Sequence, residues 1–342
     1  MPVGIVAVDL FCGAGGLTRG LEQSGVDVRV GFDLDPACRV PFEDSGTSEF
    51  RLADVSDLSA DDVASVFCNA ELRLLAGCAP CQTFSTYSRG PKLAAPTDLR
   101  WTLLDHFGRL IERIQPEFVT MENVPRAAEF PAYRRFTALL ERLGYVQRHE
   151  VFDCQLVGLP QARKRVVLLA SRIGPIHWLE RSDVRRTVRD AIGHLPPIGA
   201  GESSPHDNLH RASALQPLTL KRLRATPEGG DWRDWPEDLQ LACHKRASGK
   251  TYRGVYGRMN WDAPAPTLTT LCGGVGNGRF AHPSQHRGIS LREAALLQGF
   301  SSDYRFNGRE EPLRPRTIAR LIGNAVPPPL GKAIGIALGK SL

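Results

Sequence analysis

Short apolar runs alternating with stretches of helical period narrow the first half of this chain to one kind of architecture. IVAVDL (5–10), VRVGF (28–32), LRLLAG (72–77) and FVTME (118–122) read as buried strands, with FRLA (50–53) a further candidate. Leu103, Leu104, Phe107, Leu110, Ile111 and Ile114 fall on one helical face, and so do Phe136, Leu139, Leu140 and Leu143. Strands separated by helices pair in parallel. The predicted fold is therefore α/β, a doubly wound, mostly parallel Rossmann-like sheet with ligands at the carboxyl ends of its strands. VVLLAS (166–171) is read as extending it.

From about residue 191 the texture changes. GHLPPIGAGESSPHDN and ATPEGGDWRDWPED are rich in Pro, Gly and acids and show little periodicity; helical pattern returns in SLREAALLQGF (290–300) and in the last 27 residues. At 342 residues the chain exceeds the comfortable size of one core. We expect residues 1–190 with 302–342 to form the main domain, and 191–301 a smaller, irregular domain and hinge.

The chain holds 43 Lys and Arg against 37 Asp and Glu, a net charge of +6. Residues 181–260 carry +5 of that excess, which reads either as a site for a polyanion or as a solvated basic face. No apolar run is long enough to span a bilayer, so no membrane role is expected. The opening MPVGIVAVDLFCG lacks the basic stretch and small-residue cleavage site of a signal peptide, and the eight cysteines are scattered. The cytoplasm is the expected location, with free thiols and no metal site.

Strand IVAVDL runs into Phe11-Cys12-Gly13-Ala14-Gly15-Gly16 and then a helix-like stretch from Leu17. Glycines at such a turn let a ligand approach the backbone. Asp33, twenty residues beyond Gly13, stands where an acid binds both hydroxyls of a ribose, and Asp54 where one accepts from an adenine amino group. An adenosine site is one reading; a structural turn and a nicotinamide site are the others, the last weakened by the missing G-x-G-x-x-G spacing.

The fourth strand leads to Gly77-Cys78-Ala79-Pro80-Cys81-Gln82, where Pro80 favours an extended Ala79 and a sharp exit that presents Cys81 at the edge of the sheet. The polar stretch from Thr86 to Thr97 has the composition of a closing loop. Cys78 and Cys81 also form a C-x-x-C, so a redox pair, half a zinc site and an inert core cysteine stand beside the nucleophile reading.

DLFCGAGG, GFDLD, LAD, APCQTFS, MENV, QARKR (161–165), LREAALLQGF and GNAVPPPLGKAIG occur in an order that resembles the DNA cytosine-5 methyltransferases of bacterial type. APTLTT (265–270) and GNGRFAHPSQHR (276–287) resemble the family's passage out of its recognition region, so the likeness spans all but about 195–262. It implies an S-adenosylmethionine-dependent methyltransferase sheet with a target-recognition domain, double-stranded DNA as substrate, and a cytosine rotated out of the helix. Cys81 would be the nucleophile that adds to carbon 6, Glu122 the carboxyl group that holds N3 and the exocyclic amine, Arg163 a contact to base and phosphate, and Arg165 a positioning group. If QARKR is extended, the two arginines share a face; a basic edge strand is the other reading of that run, as a helix cap or surface acid is of Glu122. The cofactor would rest on Phe11, Gly13, Ala14, Gly15, Gly16, Leu17, Asp33, Leu34, Asp54, Val55, Pro80, Leu103, Asn324, Ala325 and Val326, with the terminal helix packed beside the glycine loop. One departure is local: Cys78-Ala79 precede Pro-Cys where the family usually has Gly-Phe or Gly-Pro, which raises the question of redox sensitivity.

The resemblance also implies a monomer working on the bacterial nucleoid, alone or beside a restriction endonuclease for the same site. A transfer-RNA cytosine methyltransferase shares the catalytic motifs; Arg222, Arg224, Arg246, Arg253 and Arg258 in the variable region favour duplex DNA. A nicotinamide-dependent dehydrogenase would need neither Cys81 nor Glu122, and a dead nucleic-acid-binding relative would not keep both.

Overall fold

The computed structural model describes residues 4–44, 46–80, 102–246, 254–308 and 311–342. In chain order the elements are β1 (Ile5–Leu10), α1 (Gly16–Gln23), β2 (Asp27–Asp33), α2 (Arg39–Glu43), β3 (Glu49–Leu52), α3 (Ala60–Val66), β4 (Leu72–Gly77), α4 (Thr102–Ile114), β5 (Phe118–Asn123), α5 (Pro131–Arg142), β6 (Val146–Asp153), β7 (Gln161–Ala162) and β8 (Lys164–Ser171). They continue with α6 (Val188–Ile192), α7 (Pro217–Arg224), β9 (Ala265–Pro266), α8 (Leu291–Leu297), α9 (Pro315–Asn324) and α10 (Pro328–Gly339). The chain divides into two compact units: 1–157 with 164–182 and 325–342, and 158–163 with 183–324.

The first unit is built on a seven-stranded sheet in the order β3-β2-β1-β4-β5-β8-β6. Strands β1 to β5 run parallel, and β8 lies antiparallel to both β5 and β6. This is the expected mostly parallel α/β sheet, and all six residues of β1 and of β5 are buried, as strands covered on both faces must be. Strand β6 was not expected from the sequence. It is an edge strand whose VQRHE segment is mostly exposed, so it carries polar and charged side chains instead of an apolar run.

Of the predicted helical faces, Leu104, Phe107, Leu110, Ile111 and Ile114 of α4 and Phe136 and Leu140 of α5 are buried, while Leu103, Leu139 and Leu143 are half-buried; Phe107 and Phe136 meet with ring centroids 5.3 Å apart. Helix α10 packs on α1 through glycines. A Cβ on Gly20 would stand 2.3 Å from the Pro328 carbonyl oxygen, and one on Gly331 2.7 Å from that of Leu17, so only glycine permits the backbones to come this close. The terminal helix thus buttresses the helix that follows the glycine loop.

The second unit is irregular, with short helices and, among the described residues, one two-stranded pairing, β7 with β9. Its cores are small: Trp232, Trp235 and Leu239 form one, and Leu223, Val275 and Ala281 another. A fully buried ion pair adds to them, Arg287 holding both oxygens of Glu293 at 2.7 Å. The division falls outside the expected 191–301 at both edges. Helix α6 belongs to this unit because Val188 and Arg189 donate to the carbonyls of Ala263 and Trp261, each at 2.9 Å, and α9 belongs to it through its packing with α8. Residues 158–163 join because the Gln161 side chain, fully buried, donates to the Leu297 carbonyl and accepts from the Leu268 amide.

Candidate active site

At the carboxyl end of β1 the backbone turns through the left-handed region at Phe11, Gly13 and Gly15, with φ of 58°, 53° and 77°, before α1 begins at Gly16. Positive φ is uncommon outside glycine, so Phe11 marks a conformation that the surroundings impose. The Gly13 amide donates to Asp33 Oδ2 and the Asp35 amide to Asp33 Oδ1, both at 2.9 Å. The Ala53 amide donates to the Asp33 carbonyl at 3.1 Å, and the Ser56 amide to Asp54 Oδ1 at 2.8 Å. Thus the loops after β1, β2 and β3 are tied into one rim at which both predicted acids stand.

Above that rim there is room. A Cβ on Gly13 would meet no atom of the described residues within 4 Å, and Leu34 is 65% exposed. Ala14, Gly15, Gly16, Leu17 and Val55 are buried. Leu103 is half-buried on α4, Pro80 is exposed after β4, and Ala325 and Val326 are buried ahead of α10. Open space over a glycine, two oriented carboxylates and apolar side chains are what a ribose and an adenine ring require, so the residues fit an adenosine-bearing cofactor. Beneath the loop, Asp9 is buried with Oδ2 accepting from Thr18 Oγ1 at 2.7 Å. Burial pushes its pKa up to about 7, and the nearby Asp33 charge adds to the effect against the Thr18 hydrogen bond.

Cys81 and the Thr86–Thr97 stretch lie outside the described residues. What leads to them is well defined. The Cys78 amide continues the β1–β4 ladder by donating to the Leu10 carbonyl at 3.3 Å, and Asn123 Nδ2 donates to the Ala79 carbonyl at 3.1 Å. Glu122, on β5, is 3% exposed, which rules out the surface-acid reading. Its Oε1 lies 2.9 Å from Arg165 Nε, and its Oε2 accepts from the Cys78 thiol at 2.9 Å. Among the described residues Oε1 takes no hydrogen bond. Arg165 compensates the charge on this buried oxygen, and its hydrogen-bonding capacity, unused among the described residues, is available to a donor supplied by a ligand.

Residues 5–340 match the C-5 cytosine-specific DNA methylase family. The chain belongs to that family. It is 44% identical to the Type II methylase M.HgiDII of Herpetosiphon aurantiacus over 98% of this chain and 95% of that one, and 32% identical to the Type II methyltransferase M1.HphI of Haemophilus parahaemolyticus over 97% and 86%. The crystal structure of a DNA modification methyltransferase encoded within an E. coli prophage shares the fold, with a TM-score of 0.76, 22% identity, and coverage of 98% of this chain and 99% of that one. S-adenosylmethionine is the cofactor of this methylase, and the rim around Gly13, Asp33 and Asp54 fits it.

Two expectations about the methylase's arginines are corrected. QARKR is not one extended run: β7 ends at Ala162, the Arg163 amide turns back to the Gln161 carbonyl at 2.9 Å, and β8 starts at Lys164. Arg163 is 1% exposed and donates to the carbonyls of Leu268 and Gly323, both at 3.2 Å, inside the second unit. Arg165, on β8, is the one beside Glu122. Likewise Arg222 is buried, donating to the Leu239 carbonyl at 2.9 Å, and buried Arg258 donates to the carbonyls of Thr226, Leu223 and His282. Arg224 and Arg246 are exposed, and Arg253 lies outside the described residues.

Sequence reasoning overlooked Asn123 and the Cys78 contact. Only the neighbouring motif letters in MENV and the C-x-x-C spacing pointed near them. Asn324 closes the second unit. Among the described residues no helix is long and apolar enough to cross a membrane, and no group of three or more His, Cys, Asp or Glu side chains is placed to hold a metal ion.

Proposed function

We propose that this cytosine-5 DNA methylase acts on a cytosine rotated out of duplex DNA, with Cys81 adding through its thiolate to carbon 6 of the ring. Carbon 5 of cytosine is a poor nucleophile, and addition at carbon 6 makes it an enamine carbon able to attack. Bound S-adenosylmethionine supplies the methyl group on a sulfonium. The Glu122 carboxyl group holds the ring by N3 and the exocyclic amine, and Arg165 keeps that carboxyl group in place. Loss of the carbon 5 proton then lets the cysteine leave. Asp33 takes the ribose hydroxyls and Asp54 the adenine amino group, with Phe11, Leu34, Pro80 and Leu103 beside the adenosine. A contact of Arg163 with the target and of Asn324 with the cofactor rests on the resemblance.

The observation that carries this reading is the buried Glu122, flanked by Arg165 and with a hydrogen-bonding position unused among the described residues. Rotating the base out costs a few kcal/mol. Exposed basic groups of the second unit such as Arg224 and Arg246 would offset that cost on phosphates, with the unit's loops reading the sequence. The Type II names of the relatives support a bacterial setting on the nucleoid with a restriction endonuclease for the same site as partner; sedimentation of the protein alone tests the monomer.

Duplex DNA carrying 5-fluorocytosine at the target position should trap a covalent adduct on Cys81, because fluorine replaces the proton whose loss frees the enzyme. Cys81→Ser should abolish both the adduct and transfer of tritiated methyl. Absence of an adduct on DNA that is otherwise methylated refutes the mechanism, and preferential labelling of bulk transfer RNA over duplex DNA refutes the substrate.

A further inference from the structure

We propose that Cys78 is a positioning residue for methyl transfer, a hydrogen-bond donor that sets the orientation of the Glu122 carboxyl group. The inference rests on the reading of Glu122 given above. Strands β4 and β5 pair in parallel with Gly77 opposite Met121, so the next residue of each, Cys78 and Glu122, stand side by side. The Cys78 backbone is held by its hydrogen bond to Leu10, and its thiol reaches Glu122 Oε2 at 2.9 Å. On the other flank of β5, Arg165 of β8 brings Nε to 2.9 Å from Oε1.

A glutamate side chain has three torsions, and the terminal one is broad. Arg165 contributes one ion-pair contact, which leaves the plane of the carboxyl group able to rotate. The thiol on the second oxygen restrains that rotation and leaves Oε1 as the atom whose hydrogen bond a cytosine would supply. The contact also works in reverse: a thiol held as a donor to a carboxyl oxygen is less available to an electrophile, so Cys78 should be a sluggish nucleophile in the intact site.

The test compares Cys78→Ala, Cys78→Ser and Glu122→Gln in transfer of tritiated methyl to unmethylated bacterial duplex DNA. Cys78→Ala should lower kcat by about fivefold, the effect of a weak donor on a charged acceptor, with the KM for S-adenosylmethionine unchanged. Cys78→Ser keeps a donor and should return most of the rate. Equal losses in both variants, or no loss in Cys78→Ala while Glu122→Gln is inactive, overturn the positioning role. Full activity in Glu122→Gln instead overturns the reading of Glu122 on which it rests. Peptide-resolved alkylation with iodoacetamide gives a measure independent of turnover: Cys78 should react faster in Glu122→Gln than in the wild type, and an unchanged rate refutes the contact.

Discussion

Asp9→Asn offers the sharpest energetic test of the site's interior. The carboxyl group is 1% exposed beneath the glycine loop, with Thr18 on one oxygen and no hydrogen bond on the other among the described residues. Its pKa rises from 3.8 to about 7 on folding, so the folded protein holds the neutral acid where the unfolded chain would ionise. Stability from this source is fully present below about pH 4 and is lost as pH rises through about 7. At about 1.4 kcal/mol per pH unit, the interval corresponds to about 4 kcal/mol. Asparagine stays neutral throughout and can still accept from Thr18, although its amide brings a donor to a place without a partner, at a cost of about 1–3 kcal/mol. Urea unfolding of wild type and variant at matched pH should therefore show the variant equal or weaker near pH 4.5. By pH 8 it should have gained about 3 kcal/mol relative to wild type. Stability curves that run parallel across that range would refute an acid kept neutral by burial.

Two further outcomes follow from packing and burial. Gly20→Ala should destabilise by about 2 kcal/mol despite its better helix propensity, because the new methyl group meets backbone atoms of α10 at 2.3–2.6 Å; a melting temperature at or above wild type contradicts that close approach. Exposed Cys68 and Cys243 should alkylate promptly in the folded protein, whereas Cys12, whose thiol burial and the charges of Asp9 and Asp33 push well up, and Cys272, pushed up to about 12 by burial, should stay protected until unfolding. Peptide mass mapping reads the order, and early labelling of Cys12 would contradict it.

The strands beneath the site were legible because a parallel strand covered on both faces must be largely apolar, as IVAVDL and FVTME are apart from Asp9, Thr120 and Glu122. Edge strand β6 was not, since an edge tolerates charge. The spacing from Gly13 to Asp33 could be read because the hydrogen bond between them joins the ends of adjacent parallel strands. Arginine roles could not be read. A charge count treats Arg222 and Arg258 like Arg224, yet the first two spend their donors on internal carbonyls. The Cys78–Glu122 contact spans 44 residues and depends on the register of β4 against β5, which no local pattern encodes.

The chain passes between its two units four times. A genetic exchange replacing 183–324 would carry over nearly all of the second unit in one continuous block, but it would leave behind the hexapeptide 158–163. Gln161 in that stretch bonds the Leu268 amide and the Leu297 carbonyl, and Pro160 accepts from the Ala265 amide. A transplanted block must therefore bring a matching 265–297 segment, or import the short peptide as a second insertion. Chimaeras between relatives of this enzyme should tolerate divergence in the loops of the block far better than divergence opposite those six residues.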